Sequence, residues 1–174
     1  TSEQLEIIPA TVKVIKHIQV KYACRACEQG IKTVPKPPQP IERSIATPSL
    51  LAYVIVSKFC DSLPLYRQEG IFKRLKIDIP RASMSNWILK SSHFLQPYYK
   101  RLQDYLRLQK IIQADETTLR VIHDEREGTP KSYMWMYQSG GYQTEHPIVL
   151  YDYKATRAGQ HAKQFLEGFT GHLQ

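Results

Sequence analysis

Apolar and polar residues alternate early in the chain. Val12, Val14, Ile18, Val20 and Tyr22 fall on one side, and Lys13, His17, Gln19 and Lys21 on the other. This period of two predicts a half-buried strand over residues 11–22, broken locally by Ile15 and Lys16. It leads into Cys24-Arg25-Ala26-Cys27. Residues 34–40 then hold four of the eleven prolines, a density that no helix or central strand survives. An extended linker of polyproline II type is expected there. Beyond it the period changes to that of helices. Pro48, Pro64, Pro80 and Pro97 each stand where a helix would open. The inward faces would be Leu51, Val54, Ile55 and Phe59; then Leu65, Phe72 and Leu75; then Met84, Trp87, Ile88, Ser91 and Leu95; then Tyr98, Leu102, Tyr105 and Leu106. Three strands are expected next, over 110–122, 132–139 and 146–153, with Tyr133, Trp135 and Tyr137 sharing a face. A helix from Arg157 to Gly168 would bury Ala162, Phe165, Leu166 and Phe169, with Gly171 ending it. Leu173-Gln174 reads as the opening of a fourth strand.

This is an α+β pattern. Its expected divisions are a partial β module over 1–31, the linker over 32–47, a helical region over 48–109 and a sheet region over 110–174. A hydrophobic fraction of 42% and a charged fraction of 23% are ordinary for a globular protein. No apolar run approaches the length needed to cross a bilayer, and no secretory signal is visible, so a cytoplasmic setting without a membrane partner is expected. The first residue is Thr1, which suggests a start upstream.

Charge separates the regions. Residues 48–110 hold eleven Lys/Arg against four Asp/Glu, whereas residues 111–174 hold six against eight. A basic middle beside a mildly acidic end suits a DNA-gripping segment joined to a metal-binding one, and also fits a solvated basic face. The segment from Leu65 to Lys90 resembles a helix-turn-helix. Arg81, Ser85, Asn86 and Lys90 would lie off its apolar face, where Asn suits adenine and Arg or Lys suits guanine or phosphate. Lys73, Arg74, Lys76, Arg101, Arg107 and Lys110 would be phosphate contacts.

The sheet region carries the candidate chemistry. Ile111-Ile112-Gln113-Ala114 runs directly into Asp115-Glu116. This reads as a strand bearing a carboxylate at a point of restricted exposure, and such a carboxylate calls for a cation. The same residues also read simply as a strand end or turn. Glu116, pointing to the opposite face, should not share a metal with Asp115 and is assigned a structural role. Cys24 and Cys27 are half of a four-ligand zinc site, with His17 a weak third candidate, or else two free thiols. Cys60 is expected as a small buried hydrophobe. His123, His146, His161 and His172 pair with no nucleophile, and no phosphate-cradling glycine loop is present.

Several stretches resemble the IS66 family of bacterial DDE transposases. They are Val20 to Cys27, Asp61-Ser62-Leu63-Pro64-Leu65-Tyr66-Arg67-Gln68-Glu69, Met84-Ser85-Asn86-Trp87, Gln113 to Thr117, Ser132-Tyr133-Met134-Trp135, Pro147 to Tyr153, Arg157-Ala158-Gly159 and Phe165 to Phe169. The order is kept along nearly the whole chain. The resemblance implies a zinc-ribbon-like module, a helix-turn-helix-like region, and the first three strands and a helix of a ribonuclease-H-like domain. It makes Asp115 the first of three acids that hold catalytic Mg²⁺. The second would lie at the end of the fourth strand, just past Gln174, and the third on a later helix; Asp152 falls outside that triad. A preceding CxxC would complete the Zn²⁺ site of Cys24 and Cys27. The implied reaction is cleavage at an element end by water, followed by attack of the freed 3′ hydroxyl on target DNA. The implied partners are element ends and target DNA, with a homo-oligomer assembled on them in a bacterial, nucleoid-associated setting. With one of three acids, the isolated chain is expected to be inactive. Two other readings stay open: a non-catalytic DNA-binding protein, and a non-functional product of a truncated transposase gene. In the latter, loss of the fourth strand would leave the Asp115 strand as an open edge.

Overall fold

A computed structural model describes residues 3–7, 11–23, 31–121, 131–140 and 146–174. The architecture is α+β, and the chain divides into two compact units, Thr1–His93 and Phe94–Gln174.

In the first unit, strand β1 (Lys21–Tyr22) pairs antiparallel with β2 (Lys32–Thr33). The expected half-buried strand over 11–22 is therefore reduced to its last two residues. Val14, Ile15 and Ile18 are exposed, as are both short strands. An alternating pattern makes a strand only when another layer covers its apolar side, and among the described residues none does. Residues 34–39 have no regular structure and lie exposed, as the proline density requires. Cys24 and Cys27 lie outside the described residues.

Three helices follow. Helix α1 (Pro48–Phe59) is capped by Thr47, whose Oγ1 accepts the Leu50 N–H at 3.3 Å, and Pro48 occupies the first turn, where no N–H is needed. Helix α2 (Leu65–Arg74) starts directly after Pro64. Helix α3 (Arg81–Arg107) begins in the first unit and ends in the second. Ile41, Ala46, Leu51, Val54, Phe72, Ile79, Met84 and Trp87 form the first core. Gln68 is fully buried there, and its amide donates to the carbonyls of Val54 (3.2 Å) and Leu63 (3.0 Å), stitching α2 to α1 and its exit loop. Phe59 and Leu75, expected inward, are exposed. So is Cys60, which terminates α1 through its backbone N–H to Val56 rather than filling the core.

No separate helix opens at Pro97, which lies inside α3. A proline inside a helix loses its own i→i−4 bond and crowds the carbonyl of residue i−4, yet the helix continues through Pro97. Beyond Pro97 the inward side is Tyr99, Gln103 and Leu106; of the predicted set Leu106 is buried, whereas Tyr98, Leu102 and Tyr105 are exposed.

The second unit is built on a four-stranded mixed sheet in the order β5-β4-β3-β6. Strand β3 (Ile111–Arg120) pairs antiparallel with β4 (Lys131–Ser139), and β4 antiparallel with β5 (Val149–Lys154). Short helix α4 (Gln160–Phe165) leads to β6 (His172–Leu173), which pairs parallel with β3. Leu106, Ile112, Trp135, Tyr137, Leu150, Phe165 and Leu166 form the second core, in which the Tyr137 and Phe165 rings stack at 3.9 Å. The α4 helix is shorter than the sequence suggests because Gly159 starts it late and Leu166 caps it. Gly168, with φ of 85°, makes the reversal assigned to Gly171. Gly171 instead permits close approach: a Cβ there would collide with the Lys110 carbonyl and lie 2.7 Å from the Phe169 ring. The edge of β3 expected to be open is thus covered at its start, where His172 donates to Lys110 and Ala114 donates to Gln174, both at 2.9 Å.

Candidate functional site

Strand alternation sorts the acids of the sheet. The register aligns Asp115 with Met136 and Tyr151 on one face, and Glu116 with Trp135 and Asp152 on the other. Asp115 sits mid-strand and is exposed, so the restricted exposure expected of it belongs to its neighbour. The physical reason is the core: Ile112 and Ala114 turn toward it, and two-residue periodicity sends Glu116 the same way and Asp115 outward.

The half-buried carboxylates each have a cation. Arg157 Nε donates to Glu116 Oε1 at 2.5 Å, and Lys154 Nζ lies 3.2 Å from Asp152 Oδ2. The hydrogen bond to Glu116, and next the charge of that carboxylate, push the Arg157 guanidinium above its usual range. Asp115 forms no ion pair among the described residues. Its Oδ1 accepts the backbone N–H of Glu116 at 2.8 Å. Burial, and secondarily the negative charge of Asp152, raise the pKa values of Tyr99 and Tyr137. Among the described residues, no three His, Cys, Asp or Glu side chains gather as a metal site.

In the helical unit, Arg81, Ser85, Asn86 and Lys90 are all exposed along α3, while Met84, Trp87 and Ser91 are buried. Lys73 and Arg74 are exposed at the end of α2; Lys73 lies 3.4 Å from Glu69, and Arg74 donates to the Gly70 carbonyl at 3.4 Å. One basic residue absent from the expected set, Arg67, adjoins them. Arg67 donates to the Tyr66 hydroxyl at 3.0 Å, and with Leu63, Tyr66, Gly70, Ile71 and Arg74 it lines a shallow groove of about 390 Å³. Arg107, expected to face phosphate, instead donates twice to the Phe165 carbonyl, at 3.0 and 2.7 Å. Gln103 donates to the same oxygen at 3.1 Å. These three bonds satisfy an otherwise orphan carbonyl at the end of α4.

The Glu116–Arg157 pair was not foreseeable from local pattern, since its members lie 41 positions apart and no spacing rule connects them.

Comparison with known proteins adds to this geometry. Residues 1–28 match the model of the zinc-finger binding domain of transposase IS66, and residues 43–174 match the model of the transposase IS66 family. Three proteins of Sinorhizobium fredii are similar over essentially the whole chain: y4jD at 35% identity, y4qI at 34% and y4hP at 29%. The chain spans about a third of their length, 35%, 32% and 31% respectively. No solved structure matches it. No helix among the described residues is long and apolar enough to cross a membrane. With the family model matched over three-quarters of its residues, from 43 to the last, this chain belongs to the IS66 family of transposases.

Proposed function

We propose that this chain is part of a DNA transposase, in which the helical unit grips DNA and Asp115 supplies one carboxylate to a divalent-metal centre that cleaves and joins strands. The observation that carries the reading is the placement of Asp115. It is an exposed acid without an ion-pair partner among the described residues, held mid-strand, with β6 running parallel on that strand's far edge. Three antiparallel strands joined by a fourth that pairs with the first support a ribonuclease-H-like sheet. The parallel register runs β6 toward Asp115, which is where such a fold would place a second acid.

Two divalent ions held by several acids would stabilise the attacking and leaving oxygens of an in-line phosphodiester displacement. The chain's own part is narrower. Asp115 presents an oxygen from a rigid strand, and Glu116 is neutralised by Arg157 and kept out of the ligand set. Arg81, Lys90, Lys73 and Arg74 hold phosphates, while Ser85 and Asn86 face base edges in a helix-turn-helix-like arrangement of α2 and α3. Cys24 and Cys27 contribute half of a structural Zn²⁺ site, and element ends and target DNA are the partners of an assembly of several copies.

Binding of the chain to duplex DNA should weaken linearly in log–log terms with added salt. Arg81→Ala or Lys90→Ala should each flatten that slope by about 1. Slopes unaffected by these substitutions would overturn the DNA assignment. Incubated with DNA and Mg²⁺, the chain alone should leave strands intact, because one carboxylate does not position two ions. Nicking that disappears in Asp115→Ala would contradict this.

A further inference from the structure

We propose that the outer face of α2 seats the sugar–phosphate backbone of duplex DNA, with the strand lying across Gly70 between Arg67 and Arg74; this rests on the reading of the helical unit as the part that grips DNA. Arg67, Gly70 and Arg74 are spaced by three and four residues, so they share one side of the helix. Gln68 and Phe72 turn the opposite way and are buried. Gly70 marks the site, because nothing in the fold requires a glycine there. Among the described glycines only Gly168 has a positive φ. A Cβ at Gly70 would meet nothing within 4 Å. Inside a helix, glycine is less favourable than alanine because it loses more backbone freedom. What it provides is bare backbone at the surface, which a strand can approach more closely than any side chain would allow.

The surroundings select the occupant. Arg67 Nε donates to the Tyr66 hydroxyl at 3.0 Å, with its guanidinium 5.7 Å from the centre of that ring. Arg74 Nη1 donates to the Gly70 carbonyl at 3.4 Å. Each guanidinium is thus oriented by its own helix and keeps most of its N–H donors for a ligand. Neither pairs with a carboxylate among the described residues; the ion pair of α2 is that of Lys73 with Glu69. Two exposed guanidiniums without a counter-charge suit an anion, and their forked donors match phosphate oxygens. They stand seven positions apart, about 10 Å along the helix, which favours an extended polyanion over one small ion. Between them Leu63 and Ile71 line the same shallow groove and offer an apolar floor to sugar carbons.

The test is fluorescence anisotropy of a short mixed-sequence duplex titrated with the whole chain. Gly70→Leu should weaken binding about tenfold and Gly70→Ala about threefold, while the thermal midpoint stays or rises, since both residues favour helix more than glycine does. Arg67→Ala should flatten the log–log salt slope by about 1, and Arg67→Lys should restore it. Inorganic phosphate should displace no more duplex than chloride at matched ionic strength. Unchanged affinity in Gly70→Leu overturns the proposal. So does a lowered thermal midpoint, which would show that the glycine serves the fold. Preferential displacement by phosphate would assign the groove to a small anion instead. The underlying reading is judged separately. If Arg81→Ala flattens the slope while Gly70→Leu and Arg67→Ala change nothing, DNA binding stands and this seat falls; salt-independent binding by the unmodified chain removes both.

Discussion

Tyr137 concentrates the tension between packing and polarity in the sheet unit. Its ring is fully buried against Phe165, and its hydroxyl has no hydrogen-bond partner among the described residues. A buried hydroxyl left unpaired costs about 1–3 kcal/mol, so Tyr137→Phe should be neutral or stabilising by about 1 kcal/mol in urea unfolding. The pH dependence follows from the raised pKa of Tyr137. Its neutral form is favoured in the fold, so the contribution is complete below the unfolded value near 10. It is lost as pH rises above that value, by about 1.4 kcal/mol per unit for one group. Tyr137→Phe should make the alkaline decline shallower, read by Trp135 fluorescence between about pH 8 and 11. An unchanged decline would locate the effect elsewhere. At this scale the sequence was informative about residue type and face: Tyr133, Trp135 and Tyr137 do share a side. It was not informative about which acid is covered. Asp115 and Glu116 are adjacent, and only the packing of Ile112 and Ala114 decides which of them turns inward.

At the scale of elements, β6 is held to β3 by few bonds, and its approach depends on Gly171. Gly171→Ala would drive a methyl group into the Lys110 carbonyl and the Phe169 ring, at a cost of about 1–3 kcal/mol. The expected signature is faster exchange at the Ala114 amide, which donates to Gln174. Gly168→Ala strains a positive φ but should leave that amide slow, because nothing near Gly168 would be displaced. Equal loss of protection in both variants would show that the turn, not the close approach, holds β6. The strands of the sheet and the starts of α1 and α2 were legible because local rules govern them: alternation for the former, proline and capping for the latter. The strand expected over residues 11–22 failed for want of a layer to bury against. The helix start at Pro97 failed because proline permits a beginning without requiring one.

At the scale of the whole molecule, the face of the sheet that bears Asp115 is unusually apolar for a surface. Val149, Tyr151 and Tyr153 are exposed there, and Met134 and Met136 lie half-buried beside them. Antiparallel sheets tolerate one wet face, but normally with polar residues on it. The chain should bind a hydrophobic dye and associate with rising concentration in light scattering, and Tyr151→Lys should reduce both. A monodisperse monomer that ignores the dye would contradict this. The contrast between basic residues 48–110 and mildly acidic residues 111–174 is plain in the sequence, but the two compact units divide earlier, at His93, so the end of the basic stretch belongs to the sheet unit. The fate of individual charges was not: Arg107 serves a carbonyl of its own chain because α4 ends beside it.

That last arrangement has a kinetic corollary. Six residues are too few to persist as a helix in isolation, so α4 depends on the burial of Phe165 against Tyr137 and on the bonds from Gln103 and Arg107 to its final carbonyl. We expect α4 to form after the end of α3 is wound, so Arg107→Ala should speed unfolding more than it slows folding in stopped-flow measurements.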